Sequence, residues 1–174
     1  EDSQGNIWAG DHEGVIGVYD NHQQLIGYLN KRGQLQATPQ PFTTRVYAML
    51  QDQKGRMWIG SKLDGLYCLS GGKVLHFLHD PKDKWSVSSN DIYDIFQDKD
   101  GQIWAGTPDG PARLDRERGE LVIDGDVRNV NIFWEDETGH IWTGSGENEA
   151  LAMRKNEGNW EKFRLPGGRT VHSQ

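Results

Sequence analysis

A nine-residue phrase recurs four times along this chain and constrains its fold more than any other feature. Each copy has the form Asp-x-x-Gly-x-(Ile/Met)-Trp-x-Gly. The copies lie roughly 40–50 residues apart, a period typical of proteins that repeat one supersecondary unit. A residue that recurs in every unit is expected to serve the framework, so functional sites are sought outside the phrase. The copies occupy residues 2–10, 52–60, 98–106 and 136–144.

The second copy shows what one unit encodes. An apolar, β-favouring run at 45–50 precedes the phrase, and Asp52 and Gly55 suit the two ends of a tight turn. Residues 57–60 then form the returning strand, and turns at 62–65 and 71–72 separate two further short strands. Four antiparallel strands in about 40–50 residues describe one blade of a β-propeller. The sequence therefore predicts an all-β fold made of β-propeller blades, each a four-stranded antiparallel sheet.

The repeats also predict where the blades begin and end. We expect blades at about 1–30, 44–79, 90–124 and 128–165, and the first lacks its inner strand because Glu1 falls within a repeat. Residues 168–174 occupy the place of an inner strand of a next or closing blade. Three closures fit this pattern: a ring of four blades, a ring of eight blades from two chains, and a segment of a larger propeller. We expect the third.

Composition narrows the classes of function. Hydrophobic residues make up only 34% of the 174 residues, but seven Trp, five Tyr and five Phe supply large buried areas, so we expect a folded chain. The net charge of −7 argues against nucleic acid as a partner. No apolar run approaches the roughly 20 residues needed to span a bilayer, so direct membrane insertion is not expected. The only cysteine, Cys68, lies in an apolar run and is expected to be a small buried residue of a strand.

A second characteristic stretch joins the second and third units. The linker from His79 to Ile92 contains Pro81, Asp83 and the run Ser88-Ser89-Asn90. Together, the phrase and this linker resemble the two-component regulator propeller repeat, and the resemblance covers essentially the whole chain. It implies a periplasmic sensor region of a bacterial hybrid two-component system, in which histidine kinase activity lies elsewhere in the parent protein. It also implies an oligosaccharide signal, self-association or homodimerisation of sensor chains, and no enzymatic activity in this segment.

Candidate ligand contacts are expected at one end of the predicted propeller, here called the mouth. The mouth comprises the connections 43–47, 85–93 and 129–131 and the turns 62–64, 108–109 and 147–149. An aromatic residue in a polar linker needs a packing pocket or a ligand, and polar side chains nearby can hydrogen-bond a sugar. Core packing of the tyrosines and solvation of the charged residues are the structural alternatives. The predicted contacts are Trp85, Arg45, Tyr47, Asp91, Tyr93, Asn131 and Lys62.

Two other classes of function, a scaffold and a propeller enzyme, are alternatives to ligand sensing. A scaffold would support dimerisation without touching a small molecule. A propeller lyase or glycosidase would need titratable groups that converge at the mouth, and the carboxylates Asp64, Asp91 and Asp109 are too scattered in sequence to predict one. The six histidines have no metal-ligand spacing, and no nucleotide or nucleophile motif occurs, so neither a metal nor a cofactor is expected.

Overall fold

The described residues form strands and turns, with no helix among them. The computed structural model describes residues 1–83, 86–115, 119, 121–145, 151–155 and 158–163. The strands form four four-stranded antiparallel sheets, which confirms the predicted all-β architecture of four blades. The first sheet contains β1 (Ile7–Gly10), β2 (Ile16–Tyr19), β3 (Leu25–Leu29) and β4 (Leu35–Gln36). The second contains β5 (Val46–Gln51), β6 (Met57–Ser61), β7 (Leu66–Ser70) and β8 (Lys73–Phe77).

The other two sheets follow the same plan. The third contains β9 (Asp94–Gln97), β10 (Ile103–Thr107), β11 (Gly110–Leu114) and β12 (Leu121–Ile123). The fourth contains β13 (Val130–Glu135), β14 (Ile141–Ser145), β15 (Leu151–Arg154) and β16 (Trp160–Phe163). In these sheets the strand order follows the sequence, and β9 contacts both β5 and β13. The strands β5, β9 and β13, called the inner strands, therefore lie side by side.

The first sheet is built differently from the other three. Its phrase strand, β1, lies at the edge of the sheet, and the short strand β4 is added at the opposite side. The sheet thus reaches Gln36, beyond the expected end of the first blade at residue 30. A turn explains the extra strand. The Asn30 side chain accepts hydrogen bonds from two backbone N–H groups, and Gly33 takes a φ of 76°.

The repeated Asp and Trp are joined in every blade. In the second sheet, Asp52 Oδ1 accepts the backbone N–H groups of Lys54 and Arg56, both at 2.9 Å. Asp52 Oδ2 accepts the Trp58 indole N–H at 2.9 Å. Gly55 closes the turn with a φ of 75° and donates its N–H to the Asp52 carbonyl. We call the carboxylate–indole contact the Asp–Trp clamp. It recurs in the pairs Asp2–Trp8, Asp98–Trp104 and Asp136–Trp142, at 2.8–2.9 Å.

The core lies between neighbouring sheets. Trp58 is 1% exposed and belongs to a cluster that includes Ile92, Ile95 and Ile103 of the third unit. Trp104, also 1% exposed, packs with Phe133 and Ile141 of the fourth sheet. These contacts confirm that Trp58 and Trp104 act as packing residues between blades. Together with the clamp, they explain why the phrase repeats.

Two further contacts fix the spacing between sheets. A Cβ on Gly60 would lie 2.7 Å from the Ile92 side chain, so the last glycine of the phrase permits close approach to the next inner strand. A side chain at the end of each inner strand also reaches back to the previous blade. Gln97 Oε1 accepts the Gln53 N–H at 2.8 Å, and Glu135 Oε2 accepts the Lys99 N–H at 2.9 Å. Gln51 accepts the Ser3 N–H in the same way. We call these three contacts the interblade staples.

Candidate functional site

The structure brings two of the predicted ligand contacts together at the mouth. The rings of Tyr47 and Tyr93 lie with their centroids 5.9 Å apart and their planes tilted by 50°. Tyr47 sits where the register between β5 and β6 shifts, and 39% of its surface is exposed. Such a bulge redirects a side chain out of the regular alternation of a strand. The aromatic pair therefore joins the second and third sheets on an accessible surface.

Burial affects the ionisation of Tyr93. Burial raises the pKa of its phenol, and the nearby Asp91 carboxylate and Tyr47 raise it further. Tyr93 is therefore a neutral phenol at physiological pH. In this state its hydroxyl can donate one hydrogen bond and accept others.

Backbone contacts hold the predicted charged residues of the mouth near one another. The Lys62 N–H donates to the Arg45 carbonyl at 3.0 Å, and the Thr44 hydroxyl donates to the Lys62 carbonyl. Arg45 is exposed, and its Nε lies 3.5 Å from the His12 carbonyl oxygen. The turn after β6 and the segment before β5 therefore form one connected surface that carries two cations.

Asp91 has a structural contact in this surface. Its Oδ1 accepts the N–H of Leu63 at 2.7 Å. Leu63 has a φ of 62°, which is uncommon for a residue other than glycine, and 67% of its surface is exposed. Asp91 thus fixes the shape of a protruding turn, while its second oxygen can accept another hydrogen bond.

One other predicted contact, Asn131, is not brought to the tyrosine pair. Asn131 is exposed on a register shift in β13, the position equivalent to Tyr47, and no described hydrogen bond links it to the other candidates. It lies on the fourth sheet. Trp85 lies outside the described residues.

Asp94 also lies at this junction, although the sequence did not predict it as a site residue. It lies next to Tyr93, where the other inner strands have Ala48 and Ile132. Burial raises the pKa of Asp94, although its oxygens accept the N–H groups of Phe133 at 2.8 Å and Ile95 at 2.9 Å. A carboxylate within an otherwise apolar inner strand was the available signal. Its bond to Phe133 links two inner strands just below the mouth.

The remaining carboxylates of the mouth are spread over separate contacts. Asp64 Oδ2 accepts the hydroxyls of Thr43 at 2.9 Å and Tyr67 at 2.7 Å. Asp109 pairs with Arg128 at 3.3 Å. No arrangement of three or more His, Cys, Asp and Glu that could hold a metal ion occurs in the part of the chain that the structure describes. The mouth carboxylates that the structure describes, Asp64, Asp91 and Asp109, support turns and do not converge on a reacting centre.

The histidines near this region also have structural contacts. The His76 ring stacks on Tyr67 with centroids 3.9 Å apart and planes 9° apart, and its Nε2 lies 2.7 Å from the Asp64 carbonyl oxygen. His79 Nδ1 lies 2.8 Å from the Val87 carbonyl oxygen. Cys68 is buried, and burial raises the pKa of its thiol to about 11. Such a thiol is not activated as a nucleophile.

A cavity lies at the end of the blades opposite the mouth. It has a volume of about 230 Å³ and is lined by residues of the first and second sheets, including Trp8, Gln51, Arg56 and Gly72. Arg56 is engaged there with Asp52 of the clamp. The sequence did not predict this cavity.

Comparisons with known proteins find one matching family and several structures with the same fold. The two-component regulator propeller family matches residues 41–62 and 86–109. No curated protein matches the chain. No described helix has the length and apolar character needed to cross a membrane.

Solved structures show the same fold at low sequence identity. The extracellular domain assigned to a hybrid two-component system of B. thetaiotaomicron is 18% identical, with a TM-score of 0.73, and the match covers 97% of this chain and 24% of that one. Virginiamycin B lyase from Staphylococcus aureus is 16% identical, with a TM-score of 0.67, covering 95% of this chain and 54% of that one. The WD40 β-propeller domain of Doa1 is 16% identical, with a TM-score of 0.64, and the match covers 93% of this chain and 51% of that one. This chain therefore spans between a quarter and about half of these structures.

Proposed function

We propose that this chain, which carries repeats of the two-component regulator propeller family, is a ligand-sensing segment of a bacterial two-component receptor. The segment acts outside the cytoplasm, as in the extracellular domain from B. thetaiotaomicron that shares its fold. It performs no catalysis itself. The mouth carboxylates support this assignment, because Asp64, Asp91 and Asp109 hold separate turns.

The Tyr47–Tyr93 pair carries the proposal. It places two aromatic rings at an exposed junction of two sheets. Arg45 lies two residues before Tyr47 in the chain, and the Lys62 backbone is bonded to the Arg45 carbonyl. Binding sites combine apolar and aromatic surface with a few placed polar groups. An oligosaccharide suits this combination, because its apolar ring faces pack on aromatic side chains and its hydroxyls bond to charged and phenolic groups.

Binding at this junction provides a route to signalling. Tyr47 belongs to β5 and Tyr93 immediately precedes β9, so a ligand that touches both rings bridges two blades. The Leu63 turn is held by Asp91 of the next unit, so it also depends on the relative position of these blades. A ligand shifts such an arrangement only by its differential affinity for the two states. The parent receptor would convert that difference into a changed pairing of sensor chains.

Titration calorimetry of the folded chain against a panel of neutral and acidic oligosaccharides tests the proposal. We expect at least one to bind, and Tyr47→Ala to weaken that binding at least about tenfold, a loss of about 1.4 kcal/mol. Tyr28→Ala is the matched control, because Tyr28 is a half-buried tyrosine on β3, in another sheet. The control should bind like the wild type. Failure of the whole panel to bind a folded chain would exclude the oligosaccharide, and equal losses in both variants would exclude the mouth.

One observation favours a second function, a scaffold for self-association. Ile132 and Trp134 of the fourth sheet are each 60% exposed, which is unusual for large apolar side chains on one strand. The same calorimetry separates the two functions. A pure scaffold would leave Tyr47→Ala and the wild type equally inert towards every sugar.

A further inference from the structure

The turn between β6 and β7, residues 62–65 and here called the bridging turn, is tied to the segment that leads to Tyr47. The Lys62 N–H donates to the Arg45 carbonyl at 3.0 Å, and the Thr44 hydroxyl donates to the Lys62 carbonyl. Arg45 lies two residues before Tyr47 in the chain. A displacement of the bridging turn therefore acts on the backbone that carries the first ring of the tyrosine pair.

The bridging turn is also tied to the segment that leads to Tyr93. Gly65 donates its N–H to the Asn90 carbonyl at 2.9 Å, and Ser61, just before the turn, accepts the Ile92 N–H at 2.9 Å. Ile92 directly precedes Tyr93. The bridging turn thus connects the two segments that position the rings, although these segments belong to different blades.

One contact of the bridging turn depends on a side chain of the next unit. The Asp91 carboxylate accepts the Leu63 N–H at 2.7 Å, a short distance that is typical of hydrogen bonds to charged groups. Leu63 has a φ of 62°, and a residue with a side chain adopts this left-handed conformation only at a cost in free energy. The carboxylate therefore stabilises a backbone conformation that leucine disfavours.

The position of Asp91 within its unit also indicates a role between blades. Asp91 and Arg45 occupy equivalent positions, each directly before a β-branched residue. Both reach back to the turn after the phrase strand of the preceding unit: Asp91 to Leu63, and Arg45, through its Nε, to the His12 carbonyl oxygen at 3.5 Å. The side chains differ in charge, but the direction of the contact is the same.

Asp91 lies close to the tyrosine pair as well. Burial raises the pKa of the Tyr93 phenol, and the negative charge of the Asp91 carboxylate raises it further. One carboxylate thus bonds to the bridging turn and lies near the second ring of the pair.

We propose that Asp91 is a positioning residue of the mouth, which holds the bridging turn and thereby fixes the distance between the rings of Tyr47 and Tyr93. It acts on a bound ligand through the rings and not through a contact of its own. Without the carboxylate, Leu63 leaves the left-handed conformation, and the segments before the two tyrosines move independently. A site whose groups are held in place before binding loses less entropy on binding. The effect on affinity rests on the proposed function, whereas the effect on ring geometry does not.

Ring-to-ring nuclear Overhauser effects in the ligand-free 174-residue chain test the positioning role. Among the five tyrosines, Tyr47 and Tyr93 are the pair in ring contact, so protonated tyrosine in a deuterated chain isolates their signal. We expect Asp91→Ala to lose this signal and to accelerate amide exchange at Leu63 at least about tenfold, because the N–H loses a charged acceptor. Asp91→Asn keeps an oxygen acceptor, so it should keep the signal and change the exchange rate less than about threefold.

Two further variants separate the bridging turn from a general loosening of the mouth. Glycine adopts a positive φ without support, so in a Leu63→Gly background Asp91→Ala should leave the ring signal unchanged. This comparison decides the question even if Asp91→Ala alone does not fold. Asp109→Ala is the matched control, because it removes a mouth carboxylate that pairs with Arg128 at 3.3 Å, and it should keep the ring signal.

Calorimetry with an oligosaccharide that binds the wild type extends the test to function. Asp91→Ala should weaken binding at least about fivefold, and Asp91→Asn less than about twofold, because only the first variant releases the rings. If no oligosaccharide binds, the proposed function fails, and the ring signal still decides the positioning role.

Four results would overturn the proposal. They are an unchanged ring signal in Asp91→Ala, equal effects of Asp91→Ala and Asp91→Asn, loss of the signal in Asp109→Ala, and loss of the signal when Asp91→Ala is added to Leu63→Gly. Weaker ligand binding by Asp91→Asn with an intact ring signal would also overturn it, because Asp91 would then be a ligand contact.

Discussion

At the residue scale, one carboxylate serves two structural purposes in each blade. Asp52 closes a turn through its Oδ1 and holds the Trp58 indole through its Oδ2. A longer Glu would not place both oxygens in this way, and Asn would lose one of the two acceptors. The indole ring then reaches the next sheet with its only polar group already satisfied, so its burial leaves no polar group unpaired.

Replacing Trp58 by Phe tests the clamp. The variant keeps an aromatic ring but removes the indole N–H and part of the buried ring, while Arg56 still donates to Asp52 Oδ2. Because a cavity and a lost buried hydrogen bond add up, we expect the free energy of unfolding to fall by about 2–3 kcal/mol. Trp142→Phe removes the same contact, at 2.9 Å, on a more exposed side chain that water can reach. In this control variant the free energy of unfolding should fall by about 1 kcal/mol or less. Urea denaturation measures both, and equal losses would contradict the assigned role.

At the element scale, the interblade staples connect sheets through their turns. Gln97 reaches from the end of β9 to the Gln53 N–H, and its amide also donates to the Gly101 carbonyl at 3.2 Å. Glu135 makes the equivalent staple with a carboxylate. The acceptor oxygen is therefore the shared requirement, and the amide donor is an additional local contact.

Gln97→Met should lower the free energy of unfolding by about 0.5–1 kcal/mol, because the exposed Gln53 N–H exchanges its protein acceptor for water. Gln97→Glu keeps the acceptor oxygen, so its free energy of unfolding should fall by about half as much as that of Gln97→Met. Thermal and urea unfolding of the two variants give the comparison. If the Glu variant were as unstable as the Met variant, the staple would not be the contact that matters at this position.

At the scale of the whole molecule, repetition decided what the sequence could predict. The phrase occurs four times in phase, so the turns, the strands and the packing role of Trp58 and Trp104 were predictable from local chemistry. Nonrepeating residues gave no such support. The Asn30 turn that adds β4 and the half-buried Asp94 depend on their particular neighbours, and spacing alone did not reveal either. The sequence predicted that Tyr47 and Tyr93 occupy equivalent positions of neighbouring blades. It did not predict their ring contact, because the bulge that exposes Tyr47 arises from strand register.

Because Asp–Trp clamps occur in every blade, the stability of the molecule is expected to depend on pH in the acid range. Burial opposes ionisation of the clamp carboxylates, but hydrogen bonds from the indole and the turn outweigh it and lower the pKa of Asp2 to about 2. The pKa values of Asp52 and Asp136 are lowered as well, in Asp136 chiefly by the Thr138 hydroxyl and the Trp142 indole. Asp94 opposes this trend, because burial raises its pKa.

Carboxylates with lowered pKa values bind fewer protons in the folded state than in the unfolded state. Their stabilisation is therefore complete above about pH 4 and is lost as the pH falls towards about 2. Three clamps outnumber the single opposing Asp94, so the urea midpoint should fall steeply across this window. Asp52→Asn should lower the midpoint at pH 7 and flatten the acid dependence, because one of the contributing carboxylates is gone. A midpoint that stays constant from pH 4 to pH 2, or an unchanged slope in the variant, would show that the clamps do not control acid stability.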